Sequence, residues 1–160
     1  MQKLNIVCVD DQRDVLAAIQ KDLIFFEEIA DFIECESADE AEEVLEDLVV
    51  HEKLIALIIC DHIMPNENGI DFLARLQKDE RFNTISTILL TGLATHNDTI
   101  EAINKARISN YIEKPWHHDD LNLTVKKNLT RFIIEKGLDY TEYNAYLDQE
   151  TLLDGLRNRT

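Results

Sequence analysis

Short apolar runs alternate with longer stretches whose apolar residues recur at helical spacing. Leu4 to Val9 is a compact β-branched run that stops at the acid pair Asp10-Asp11 and predicts a strand. From Asp14 onward, Val15, Leu16, Ile19, Leu23 and Phe26 mark one face of a helix. Asp31 to Cys35 alternates and is short, as a strand is. Ser37 to Val50 predicts a helix with Ala41, Val44, Leu45 and Leu48 on one face, and Ser37 with Glu40 forms a capping-box pattern. Leu54 to Cys60 is apolar almost throughout, which suits a central strand buried on both faces.

Gly69 to Lys78 predicts a third helix with Ile70, Leu73 and Leu76 as its inner face. Thr87 to Leu90 reads as a strand, Thr99 to Ala106 as a helix, and Tyr111 with Ile112 as the centre of a short fifth strand. Asp119 to Lys136 carries Leu121, Val125, Leu129, Phe132 and Ile133 at helical spacing, and Gly137 is placed to cap it. Five strands alternating with five helices predict an α/β fold with a mainly parallel sheet over residues 1–136. Beyond Gly137 the apolar face weakens. One further helix is expected over about Thr141 to Leu156, so that 137–160 forms a C-terminal extension, a candidate linker or dimerisation helix. Its acidic residues Asp139, Glu142, Asp148, Glu150 and Asp154 suggest a solvated segment.

Charge narrows the function. The chain has 160 residues, with 16 basic and 32 acidic side chains and a net charge of −16. Such a field repels nucleic acid and anionic membrane surfaces. No apolar run approaches the roughly 20 residues needed to span a bilayer, and the N-terminus lacks secretory features, so a cytoplasmic protein is the simplest inference. Cys8, Cys35 and Cys60 contain no close pair and are expected to be buried free thiols.

Open parallel sheets bind ligands beyond the carboxyl ends of their strands. Asp10 and Asp11 follow the first strand, Asp61 the third, Thr91 the fourth and Lys114 the fifth. Three carboxylates, a hydroxyl and an ammonium are thereby predicted to meet at one edge. Clustered carboxylates attract a hard divalent cation such as Mg²⁺, and phosphoryl transfer needs positioning and charge neutralisation more than covalent work. Asp61 can be the nucleophile, Thr91 a hydrogen-bond donor and Lys114 the neutralising cation.

VCVDDQRDV, LIICDHIMPNENGIDFL, ILLTG and YIEKPW closely resemble the receiver (CheY-like) domain of two-component response regulators, over about residues 3–136. The resemblance implies a flavodoxin-like strand order 2-1-3-4-5. It also implies a phosphoacceptor role for Asp61, direct Mg²⁺ ligation by Asp11, and ligation through water by Asp10. The Ile63 backbone carbonyl would complete the protein's share of the metal shell. Thr91 and Lys114 would be drawn to the phosphoryl group, Tyr111 would turn inward as a switch, and Lys114-Pro115 would be cis. Implied partners are a histidine kinase or phosphotransfer protein and an output partner or effector domain, with a homodimer allowed. Apart from self-phosphorylation and slow self-dephosphorylation, no enzyme activity is implied.

Trp116 stands where Phe is usual in the family, and Gly92 where Ala is frequent. LTG with YIEKPW resembles receivers joined to cyclic-dinucleotide phosphodiesterase, cyclase or kinase modules, although Arg107 stands where those commonly have Gly. Apolar Ile63 and Leu93, flanking the acceptor, suggest a long-lived phosphoryl group. His62, His117 and His118 read as surface residues. The alternatives are the receiver portion of a longer protein controlling an output enzyme, and an Mg²⁺-dependent aspartyl-nucleophile phosphohydrolase. The second expects its nucleophile in a D-x-D after the first strand, which this chain lacks.

Overall fold

A computed structural model describes residues 1–92 and 96–158. The elements run β1 (Leu4–Val9), α1 (Arg13–Asp22), a 3₁₀ turn (Ile24–Phe26), β2 (Ala30–Cys35), α2 (Ala38–Val50), β3 (Leu54–Cys60) and α3 (Gly69–Gln77). They continue with β4 (Ser86–Thr91), α4 (His96–Glu101), a π-helical turn (Ala102–Ala106), β5 (Asn110–Glu113) and α5 (His118–Glu135). Every strand pairing is parallel, and the sheet order is β2-β1-β3-β4-β5. Strands β1 and β3 lie inside the sheet and are buried almost throughout, which is why their sequences are near-continuous apolar runs.

Alternation along β1 divides the core into two layers. Leu4, Ile6 and Cys8 face Leu16 and Ile19 of α1, Leu23 just after it, and Leu121, Val125, Leu129 and Ile133 of α5. Val7 and Val9 face Leu45 and Leu48 of α2, Ile70 and Leu73 of α3, and Ala102 and Ala106. The helix ends follow local chemistry. Ser37 Oγ accepts from Glu40 N–H at 3.1 Å and Asn68 Oδ1 from Asp71 N–H at 2.8 Å. Gly137, with φ of 69°, ends α5 while Leu138 N–H donates back to the Ile133 carbonyl. All three cysteines are buried free thiols.

The single helix expected over 141–156 is instead broken into α6 (Tyr140–Tyr143), a 3₁₀ turn (Asn144–Tyr146) and α7 (Gln149–Arg157). Leu147 is extended, and Asp148 restarts the helix by accepting from Thr151 N–H at 3.1 Å. Packing explains the break. Tyr143, Leu147 and Leu152 are buried in the α1–α5 layer, and one continuous helix would not point all three into it. The Tyr143 hydroxyl donates to the Gln2 carbonyl, which ties this segment to the chain start. Among the described residues, no helix is long and apolar enough to cross a membrane.

Candidate functional site

The site residues are placed by backbone bonds that extend the sheet past its strand ends. Asp10 N–H donates to the Cys35 carbonyl at 3.0 Å, Asp61 N–H to the Val9 carbonyl at 2.9 Å, and Lys114 N–H to the Thr91 carbonyl at 3.0 Å. Each residue stands one step beyond its strand, still inside the ladder, so its side chain leaves the sheet edge at a fixed position. Carboxylate oxygens of Asp10, Asp11 and Asp61 all lie within 4.8 Å of one another. Asp10 is 1% exposed and Asp61 7%, whereas Asp11 is open to solvent.

Lys114 supplies the counter-charge. Its Nζ lies 2.7 Å from Asp10 Oδ2 and 3.6 Å from Asp61 Oδ1. Burial pushes the Asp10 carboxyl above its usual range, and the Asp61 charge pushes the same way; hydrogen bonds from the Lys114 ammonium and Gln12 N–H pull it back. Lys114 thus faces two of the three carboxylates, Asp10 and Asp61. Three hard oxygen donors gathered at one crevice with an excess of negative charge fit a divalent cation such as Mg²⁺.

Asp61 is oriented by its own loop. His62 N–H donates to Asp61 Oδ1 at 2.8 Å, and among the described residues Oδ2 accepts no hydrogen bond. Gly69 N–H donates to the His62 carbonyl at 2.8 Å, folding the loop back so that α3 begins directly beside Asp61. Arg75 holds the far side of the same loop through a two-point contact with Glu67, at 2.7 and 2.8 Å.

Thr91 ends β4 and is buried. Tyr111, on β5, is half-buried against the α2–α3 layer with its hydroxyl oxygen shielded from water. Lys114-Pro115 is cis. Ile63 is 49% exposed beside the acceptor, while Leu93 lies outside the described residues. His62 departs from the expected surface position. It is only 9% exposed because its Nδ1 accepts the Ile70 N–H, at 3.3 Å, at the start of α3. His117 and His118 are exposed as expected.

Sequence reasoning missed Arg75 and the partner of Trp116. Arg75 shares no local pattern with Glu67, and Trp116 donates its indole N–H to Asp22, 94 positions away in the chain.

A family model described as the response regulator receiver domain matches residues 6–126. The hydrogenase transcriptional regulatory protein HoxA of Cupriavidus necator is 29% identical over 159 residues, covering 99% of this chain and 30% of its own length. HoxA of Bradyrhizobium diazoefficiens is 35% identical over 100 residues, 62% of this chain and 19% of its own. This chain therefore corresponds to well under half the length of either regulator. The chemotaxis protein CheY1 of Helicobacter pylori is 32% identical over 115 residues, 71% of this chain and 86% of its own. Among solved structures, a CheY-like response regulator receiver domain protein from Methanospirillum hungatei JF-1 superposes with a TM-score of 0.71 at 24% identity, covering 84% of this chain and 99% of its own.

Proposed function

Since the chain belongs to the response-regulator receiver family, we propose that Asp61 accepts a phosphoryl group from the phosphohistidine of a kinase or phosphotransfer protein. The change of charge then resets a partner-binding face. The observation that carries the reading is the Lys114 ammonium set between Asp10 and Asp61, at 2.7 and 3.6 Å.

Asp61 Oδ1 is engaged by the His62 N–H, so Oδ2 is the oxygen presented for attack. The Lys114 ammonium, 3.6 Å from Asp61 Oδ1, lies close enough to the carboxylate to meet the negative charge that arrives with the phosphoryl group. Asp10, Asp11, Asp61 and the Ile63 carbonyl would hold Mg²⁺, which when bound neutralises charge on the phosphoryl oxygens. Once Asp61 is modified, Lys114 trades its bond to Asp10 for the phosphoryl oxygens and Thr91 moves toward them. Because Lys114 N–H is bonded to the Thr91 carbonyl, the ends of β4 and β5 shift together, and the Tyr111 rotamer responds. The surface of α4, β5 and α5 carries the signal. Self-dephosphorylation is slow, because Ile63 and Leu93 orient attacking water poorly. A half-life unchanged by polar replacement of both residues would count against that part.

A second reading follows from the short share of the HoxA regulators that the chain matches, 30% and 19%. In it the chain serves as the receiver portion of a longer protein whose output lies elsewhere. The test of the main reading is intact mass after incubation with Mg²⁺ and phosphoramidate. Wild type gains one phosphoryl group and Asp61→Asn gains none; an adduct that persisted in Asp61→Asn would refute it.

A further inference from the structure

The segment that carries Lys114 is tied at three points to one residue of α1. The Trp116 indole N–H donates to Asp22 Oδ2 at 2.7 Å, and His118 Nδ1 lies 3.2 Å from Asp22 Oδ1. Asn122 Nδ2 donates to the Asp22 carbonyl at 2.7 Å. Asp22 closes α1, the helix that follows the acid pair, and at the other end of α1 Gln12 N–H donates to Asp10 Oδ1 at 2.9 Å.

A closed circuit results. It runs from Asp10 along α1 to Asp22, across to Trp116, back two residues to Lys114, and from Lys114 Nζ to Asp10 Oδ2. Helix α1 is about 15 Å long, so Asp22 acts at a distance from the phosphoryl site. Trp116 is the chain's only tryptophan and is half-buried against the α1–α5 layer. Phenylalanine would fill much of that space but could not donate to Asp22. Burial pushes the Asp22 carboxyl up, yet the hydrogen bonds from Trp116 and His118 outweigh it and hold the group below its usual range.

We propose that Asp22 and Trp116 are positioning residues for phosphoryl transfer, their hydrogen bond setting where Lys114 stands relative to Asp10 and Asp61. The proposal rests on the phosphoacceptor reading of Asp61. The physical reason lies in the lysine. Its ammonium sits on a flexible four-carbon stem, so its mean position depends on how firmly its backbone is held. The Thr91 carbonyl holds the Lys114 backbone on the β5 side, and the Trp116–Asp22 bond holds the α5 side. Loosening one anchor spreads the positions of Lys114 and slows a reaction that depends on alignment.

The test measures the rate of phosphoryl uptake by intact mass, with Mg²⁺ and varied phosphoramidate, for wild type, Trp116→Phe, Asp22→Ala, Asp22→Asn and the double variant Asp22→Ala/Trp116→Phe. Trp116→Phe and Asp22→Ala should each lower the maximal rate roughly 3- to 10-fold, the equivalent of one hydrogen bond. The donor concentration giving half-maximal rate should stay the same. The double variant should be no slower than the slower single one, because both changes cut the same link. Asp22→Asn should restore most of the rate, since its amide oxygen still accepts the indole N–H. Folded Trp116→Phe and Asp22→Ala proteins that react at the wild-type rate, or effects that multiply in the double variant, would overturn the proposal. A wild type that took up no phosphoryl group would instead sink the Asp61 reading, and this proposal with it.

Discussion

Gly69 lies directly against the backbone of Asp61: a methyl group built on its Cα would stand 2.0 Å from the Asp61 carbonyl oxygen and 2.9 Å from the carbonyl carbon. Neither atom can swing away as a side chain would, because Asp61 N–H is bonded to Val9 in the sheet. The glycine is needed for this close approach.

Gly69→Ala should therefore destabilise the fold by about 1–3 kcal/mol, the usual cost of overpacking. It should also reduce phosphoryl uptake in whatever fraction stays folded, because relief of the clash moves Asp61. Urea unfolding and intact mass read the two effects separately. Unchanged stability would show that the start of α3 relaxes freely.

Lys114→Met removes the cation between two buried carboxylates. In chelator at neutral pH it should cost about 3 kcal/mol, as breaking a buried pair does. The loss should shrink on acidification. Asp10 has a folded pKa above its unfolded one, so its charge disfavours folding at neutral pH, and that penalty lifts as pH falls through the folded value. Without Lys114 the penalty is larger and so is the relief. Stability curves of wild type and variant should converge toward low pH; parallel curves would mean that Lys114 offsets little of the Asp10 charge.

The inner strands β1, β3 and β4 were legible because burial on both faces leaves a plain mark, as in LIALIIC, and because the residues at their ends are chemically unlike their surroundings. Asp10, Asp11, Asp61, Thr91 and Lys114 could be placed at one edge from topology alone. What stayed hidden depends on distance rather than pattern. His62 looks like any loop histidine until its Nδ1 is found accepting from Ile70. The break at Leu147 was hidden for a different reason: Tyr143 and Leu147 share a helical face, whereas Leu152 would stand on the opposite face of a continuous helix, and only the shared burial of all three shows that the chain must break. The cap pair Asp148 and Thr151 was readable in the sequence as a local signal for that restart.

Arg107, directly after the π-helical turn, has φ of 50° and ψ of 45°, the left-handed region. A side chain there costs roughly 1–2 kcal/mol in strain, part of which glycine returns as lost chain entropy. Arg107→Gly should raise stability by about 0.5–1 kcal/mol. Since Arg107 is exposed, the melting temperature should rise without a change in phosphoryl uptake. A fall would show that the arginine has a stabilising role that outweighs its strain.

Asp148 starts the helix that seats Leu152 against α5, so its charge should matter to the whole domain. The Thr151 hydroxyl, more than any other group, holds the Asp148 carboxyl below its usual range; burial opposes this and the Thr151 N–H adds to it. A carboxyl with a depressed folded pKa contributes stability that is complete above its unfolded value, about 3.9, and is lost as pH falls through the folded value. Asp148→Ala should cost about 1 kcal/mol at pH 7, and the deficit relative to wild type should close only as acid protonates Asp148. Leu147→Ala, beside it, should cost about 2–5 kcal/mol at every pH because it leaves a cavity. If both variants melt in a single transition with wild type, the segment after Gly137 folds as one unit with the sheet. A separate early transition confined to Asp148→Ala would make that segment a peripheral attachment.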